Sequence, residues 1–457
     1  MATDLTQGSV FKQLLTFSLP YLLACFLQTF YGVADLFIAG QFNGASTITA
    51  ISIGSQVMHM FTLMIAGLAM GVTVLAGRAF GARDKSLLSQ TAGNSISLFA
   101  LISLVFTGIS LPLTGNFASL LQTPPEAFEE TVSYMQICFL GIPFIAAYNV
   151  IAALCRGIGD SRHPMIFVAI SGVFNIILDY IFIGPAGMGA IGAALATVIA
   201  QVVCVIIAIL TMARQNTGIQ LTKHSLRLSA AIQKEMLAVG VPTALQEGII
   251  QVGFIFITAI ANSRGIYMAA SVGIVEKLIC FFFLVPSSML AGVSALSAQN
   301  RGAGLHNRSK ETLKYGILTC AGYGAVILVL CQFVSPQLVG LFTTDEKVIL
   351  YGAQYLRSYG ADAMIAGIHF CFSGYFCAYN KAIWTFLHNV TSCLLVRIPG
   401  TWLAAVMFPL TLTPMGCAAP LGSIYSILVC ILVYRYYRNT AFVEGTQPEE
   451  NKAALDA

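Results

Sequence analysis

Charge is scarce in this sequence. Asp, Glu, Lys and Arg make up 9% of its 457 residues, against roughly 25% in ordinary soluble domains. A chain so poor in charge cannot clothe a water-soluble globule. Other absences narrow the chemistry. There is no GxxxxGK[ST] phosphate loop, which excludes a motor driven by that nucleotide site, and neither GxSxG nor HExxH occurs. The 12 cysteines form no CxxC pair and no Cys/His metal spacing, so they read as small apolar packing residues. No basic stripe is interleaved with aromatics, which argues against nucleic acid as a partner. Alternating polar and apolar positions are missing, which excludes a membrane β-barrel.

What remains is apolar length. Hydrophobic residues are 57% of the chain, gathered in twelve runs near 14–38, 47–76, 89–114, 131–155, 163–184, 188–213, 236–261, 267–298, 314–342, 351–378, 383–409 and 415–437. A run of about 20 apolar residues spans a bilayer as a helix, because lipid offers backbone groups no partners. The first run is too long for a signal-peptide core and holds an acid, so no cleavable signal is expected.

The chain also repeats itself. Gly77-Arg78-Ala79-Phe80-Gly81-Ala82-Arg83 is echoed by Ala298-Gln299-Asn300-Arg301-Gly302-Ala303-Gly304, and Pro20 by Pro242. The expected domains are an N-lobe at 1–213 with six spans, a connector at 214–235, a C-lobe at 236–440 with six spans, and a polar tail at 441–457. Six is even, so the halves share one topology and are related by a pseudo-two-fold axis along the membrane normal. The fold class is therefore an all-α polytopic membrane protein of twelve transmembrane helices in two six-helix lobes. Most of the 23 Lys and Arg residues fall in loops after even-numbered spans and at the termini, which predicts that both termini are cytoplasmic.

The duplication fails at the acids. Asp35 lies deep in run 1, where the second half has Ile257. Asp179 lies late in run 5, where the second half has about Gly400, and Asn175 matches about Val396. A charge at bilayer depth costs at least ~2.5–3.5 kcal/mol. Such a group must face a cavity, find a partner, or take up a proton. Runs 1 and 5 cross in the same direction, so both acids sit at similar depth. Asn175 precedes Asp179 by one helical turn and shares its face; Thr197 in run 6 adds a hydroxyl. Two carboxylates, an amide oxygen and a hydroxyl form a hard-oxygen set able to hold a proton or a small cation such as Na+. The competing reading is a hydrogen-bonded network that only fixes helix packing.

A second set comprises Glu247, Glu276, Lys277, Asp362 and Arg397, all near mid-run in the second half. Glu276 and Lys277 point about 100° apart on a helix and so need partners elsewhere. Arg397 is a candidate partner for an acid, and Asp362 or Glu247 for Lys277. These residues are read as structural pairs or as a substrate or coupling wall. His59 and His369 read as helix-contact residues rather than proton relays. No cofactor is expected.

The residues are, finally, similar to a known group. Pro20, Val33-Ala34-Asp35-Leu36-Phe37-Ile38-Ala39-Gly40, the stretch Gly77-Arg78 to Gly81-Ala82, Arg156-Gly157 with Gly159-Asp160, Asn175-Ile176-Ile177-Leu178-Asp179, Gly192-Ala193-Ala194-Leu195-Ala196-Thr197 and Gln299-Asn300-Arg301-Gly302-Ala303 together resemble the MATE (multidrug and toxic compound extrusion) family across all twelve spans. The resemblance implies two lobes in a V and export of amphipathic organic cations or drugs in exchange for Na+ or H+. It also implies a multi-pass place in a bacterial inner membrane, as a monomer. The DinF-like branch of that family uses an Asp on helix 1, an Asn and Asp on helix 5 and a Thr on helix 6, roles that fall on Asp35, Asn175, Asp179 and Thr197. The NorM-like branch relies on acids of helices 7 and 10; Glu247 and Asp362 lie on those helices out of the expected register. A flippase for a lipid-linked metabolite is the alternative function. It would require a cationic cavity, whereas here acids outnumber bases.

Overall fold

A computed structural model describes residues 2–214, 218–222 and 224–438; the expected tail at 441–457 lies outside them. The described residues are helical almost throughout. In order they form α1 (Val10–Phe42), α2 (Ala45–Gly81), α3 (Lys85–Ser110), α4 (Thr114–Leu120), α5 (Pro125–Leu140), α6 (Ile142–Gly157), α7 (Arg162–Ile183), α8 (Gly189–Arg214), α9 (Ala230–Asn262), α10 (Ile266–Phe282) and α11 (Leu284–Gly302). Then follow α12 (His306–Gly340), α13 (Glu346–Ala378), α14 (Ala382–Ser392), a π-helical turn (Cys393–Arg397), α15 (Ile398–Met407), α16 (Thr413–Gly416) and α17 (Ala418–Tyr437).

Eleven of these helices or joined helices are long and apolar enough to cross a membrane, and α5 with α6 makes a twelfth, bent by 46°. The twelve apolar runs therefore each become one span, and the protein is a polytopic helical membrane protein. Breaks fall at prolines. Pro143 stands in the first turn of α6, where its missing N–H costs nothing. Pro399 stands in the first turn of α15, just after the π-helical turn that carries Arg397. α9 begins at Ala230, six residues before its apolar run, because Gln233, Lys234 and Glu235 are good helix formers that extend the span past the hydrocarbon.

Two compact units divide the chain. The first contains Phe17–Ala76 and Asp84–Gly248; the second contains Asp4–Thr16, Gly77–Arg83 and the chain from Ile249 onward. Within the first, α2 and α9 touch backbone to backbone. A Cβ added to Gly71 would collide with the Met236 carbonyl, and one added to Gly240 with that of Leu68. The connector is tied to α3: Asn94 Nδ2 donates to the Ser225 carbonyl (3.2 Å), and the Ser229 amide donates to Asn94 Oδ1 (2.6 Å).

Within the second unit the repeated motifs meet each other. A Cβ at Gly81 would strike the Gln299 carbonyl, and one at Gly302 would strike the Arg78 carbonyl. In the repeat Gly81 is the counterpart of Gly302 and Arg78 of Gln299, so the contacts are reciprocal, as a local two-fold relation requires. Small residues permit this backbone approach.

Candidate ion-coupling site

The first unit gathers its acids where α1 lies along α7. Tyr31 packs on Gly172, where a Cβ would sit 3.1 Å from the ring. Further along, Phe42 meets Tyr180 edge-on with centroids 5.6 Å apart. Asp35 falls between these two contacts. Its helix turns Val33 and Phe37 outward, 54% and 67% exposed, and buries Ile38 and Ala39, so Asp35 is held half-buried beside α7. On α7, Ser171, Asn175 and Asp179 recur every four residues along one buried face.

The Asp35 and Asp179 side chains lie within electrostatic range of each other. Both oxygens of Asp179, Oδ1 of Asp35, and both amide atoms of Asn175 are buried with no hydrogen-bond partner. Buried polar groups are rarely left so, and a cluster of such oxygens has the chemistry to accept a proton or a small cation. Two ionised carboxylates this close, out of water, repel strongly; one shared proton or bound cation relieves that.

Thr197 belongs to the same level of the membrane. Ser171 donates to the Ala200 carbonyl at 3.0 Å, fixing the antiparallel register of α7 and α8. That register sets Thr197 opposite Asn175. Its hydroxyl donates to the Ala193 carbonyl (3.0 Å) and keeps oxygen lone pairs available. Two aromatic residues complete the surroundings. Tyr134 of α5 is buried within electrostatic range of both Asp35 and Asp179, and its ring occupies the space a Cβ would need at Gly54. Tyr31 lies within the same range of Asp35. Sequence reasoning missed Tyr134 as a site residue, because no linear spacing ties the fourth span to the first.

The polar residues of the second half separate. Glu247 is in the first unit, half-buried, accepting from Gln246 Nε2 at 3.3 Å and within electrostatic range of Tyr21. In the second unit Arg397 takes Asp362: Nη2 to Oδ2 is 3.2 Å, and the same nitrogen donates to Ser423 Oγ at 2.9 Å. Asp362 is therefore not the partner of Lys277, which is exposed beside Glu276. Arg397 reaches the acid because the π-helical turn shifts it by one position around the helix. Glu276 lies 3.4 Å from the Thr258 hydroxyl by both oxygens. Among the described residues no group of three or more His, Cys, Asp or Glu side chains could hold a metal ion by itself. An ion at Asp35 and Asp179 would need the neutral oxygens of Asn175 and Thr197.

Several motif residues are structural. Gly159 has a positive φ of 82°, which glycine adopts at no steric cost. Asp160 then accepts from the Arg162 and His163 amides, both at 3.1 Å, and closes the start of α7.

A family model described as MatE matches residues 20–181 and again 242–403. The two matches begin and end 222 residues apart, one residue more than the offset of the Gly81 and Gly302 motifs, so the counterparts of Asp35, Asn175 and Asp179 fall at about Ile257, Val396 or Arg397, and Gly400 or Thr401. The chain is 26% identical over 441 residues to the probable multidrug resistance protein YpnP of Bacillus subtilis, covering 96% of this chain and 97% of that one. It is 28% identical over 370 residues to the multidrug export protein MepA of Staphylococcus haemolyticus, covering 80% and 81%. A solved structure described as the outward-facing conformation of a multidrug resistance MATE family transporter of the MOP superfamily superposes with a TM-score of 0.89. It covers 96% of this chain and 98% of that one at 21% identity, a likeness of fold.

Proposed function

We infer function from one premise: the chain belongs to the MatE family. We propose that it is a secondary antiporter that exports amphipathic organic cations in exchange for Na+ or H+, with both termini in the cytoplasm. The relatives named for multidrug resistance and export support the substrate class. The coupling site is proposed at Asp35, Asn175, Asp179 and Thr197, the arrangement of the DinF-like branch. The observation that carries this reading is the cluster of buried side-chain atoms of Asp35, Asn175 and Asp179 that lack hydrogen-bond partners.

In the proposed cycle an external cation or proton enters between Asp35 and Asp179. It removes their mutual repulsion and lets α1 close against α7, with Pro20 as the bend in α1. That closure expels the exported cation. Each inward charge supplies about 2.3 kcal/mol per 100 mV of membrane potential, enough to shift a two-state carrier by more than tenfold. Glu276, Lys277, Asp362 and Arg397 are proposed to form a polar wall of the substrate path; Glu247 of α9 is proposed separately as a substrate or coupling residue.

The test is ethidium transport in proteoliposomes with Na+ and pH gradients imposed separately. Uphill transport under one of the two gradients, absent without it, supports the reading. Transport that ignores both gradients sinks it.

A further inference from the structure

Near the starts of α1 and α12 an apolar groove of about 420 Å3 opens to the outside of the protein. It is lined by Phe11 and Leu15 of α1 and by Tyr315, Leu318, Thr319 and Gly322 of α12. All six residues belong to the second unit. Phe11 and Tyr315 stand at the end nearer the membrane face, ring centroids 5.7 Å apart. Thr319 spends its hydroxyl on the Tyr315 carbonyl at 2.8 Å. Of the lining side chains this leaves only the Tyr315 hydroxyl to bond anything else. Helical side chains lean toward the start of their helix, which carries that hydroxyl toward the membrane face and leaves the deeper groove apolar.

Gly322 gives the groove its depth. Glycine weakens a helix interior, and elsewhere on α12 close packing accounts for it. A Cβ at Gly324 would collide with the Met364 backbone, and one at Gly316 would lie 2.7 Å from a Val293 methyl. Around the Cβ position of Gly322 nothing lies within 4 Å. No protein neighbour requires glycine there. Beside it Leu15 and Leu318 remain 36% and 56% exposed, apolar walls with space between them.

One turn toward the membrane face the surface becomes charged. Lys12 precedes Leu15 by three residues and Lys314 precedes Leu318 by four, so each continues a groove-lining face. Both lysines are exposed. Arg308 holds the mouth in shape. It donates to the Gly8 carbonyl at 2.7 Å, the Gln7 carbonyl at 3.0 Å and Gln13 Oε1 at 2.8 Å, which ties the start of α1 to α12. Around this end Lys12, Arg308, Lys310 and Lys314 stand against Asp4 and Glu311, four bases to two acids. The rim is therefore net positive.

We propose that the groove binds one anionic phospholipid, with an acyl chain over Gly322 between Leu15 and Leu318 and the phosphate between Lys12 and Lys314. From Tyr315 to Gly322 the groove follows about two helical turns, roughly 10 Å at 1.5 Å per residue. That is most of the acyl depth of one leaflet, half of a hydrocarbon core about 30 Å thick. The apolar walls hold the chain, and the basic rim selects the headgroup, as basic pockets between membrane helices do. A zwitterionic headgroup brings its own cation and gains less from that rim. An amphipathic organic cation is repelled by it, which separates this site from the proposed substrate path. Only the choice of leaflet, the cytoplasmic one, rests on the orientation proposed above.

The test uses the full chain, stripped of lipid in detergent and titrated with phosphatidylglycerol or with phosphatidylcholine of the same acyl chains. Native mass spectrometry counts the bound lipid. Wild type is expected to bind one phosphatidylglycerol about tenfold to thirtyfold more tightly than phosphatidylcholine, the preference two lysines supply. The double variant Lys12→Gln with Lys314→Gln should bring that ratio below about threefold and leave packing untouched. Lys85→Gln removes an exposed base at the start of α3, outside the groove, and should leave the ratio at its wild-type value. Gly322→Leu fills the groove without altering charge and should weaken both lipids at least about tenfold. Leucine suits a helix interior, and an unchanged elution profile checks the fold; should it fail, the lysine variants test the site by themselves. Equal wild-type affinity for the two lipids, wild-type selectivity in the double variant, or wild-type affinity in folded Gly322→Leu overturns the site. The readout is lipid binding, so failure of the antiport reading leaves this result standing, and the reverse.

Discussion

Arg397 donates to Asp362 across 3.2 Å, and in the repeat Arg397 falls within one residue of the position that answers to Asn175 in the first half. The repeat therefore carries a base beside a buried acid in one copy and an amide beside two acids in the other. Ile257, at about the place of Asp35, and Gly400 and Thr401, at about that of Asp179, cannot hold a charge. The buried acids of the first half were not duplicated with the fold, which is why the proposal gives the two halves different work.

Asp35→Asn and Asp179→Asn should each abolish gradient-driven ethidium efflux, a loss of about 100-fold or ~2.7 kcal/mol of coupling. Yield and thermal melting in detergent should stay near wild type, because the change removes a repulsion and keeps the shape. Efflux assays beside melting curves check both halves of the expectation.

Breaking the Asp362–Arg397 pair should cost stability. Arg397→Met leaves Asp362 buried without its cation, a loss of about 3–5 kcal/mol, and melting temperature should drop sharply. The double variant Asp362→Leu with Arg397→Met should recover most of it, since no uncompensated charge remains. Melting curves of the three proteins show whether the pair acts as a unit.

Tyr134→Phe keeps the ring that packs on Gly54 and removes the hydroxyl near both acids. The expected result is a shift of about threefold to tenfold in the ion concentration or proton activity for half-maximal efflux. Stability should be unchanged. An ion titration of efflux measures it.

Gly81→Val should fail to fold or be produced at much lower yield, because its side chain would enter the Gln299 backbone. Gly302→Val should do the same against Arg78. Gly108→Val, with open space around the added carbon, should be tolerated. Fluorescence-detected size exclusion of the three variants separates them.

The span count and the N-half acids were legible in the sequence because lipid imposes strong rules: about 20 apolar residues per helix, and no idle charge. Asn175 and Asp179 could be joined from spacing alone, one helical turn apart. Tyr134 could not, since its nearness to Asp35 depends on packing between distant spans. The partner of Arg397 also escaped, because the π-helical turn changes which way the side chain faces and leaves no pattern in apolar periodicity. His369 was read as a helix-contact residue; its proximity to His388 depends on α14 lying beside α13, which spacing along one helix does not reveal.

The central claim is that Asp35 and Asp179 hold the coupling ion. Its most direct measurement is ion binding to purified protein, by calorimetric Na+ titration at fixed pH and by proton release on adding ethidium. The account predicts one Na+ bound, or about one proton released, per wild-type chain, and neither in Asp35→Asn or Asp179→Asn. Binding or release of wild-type size in both variants would contradict it.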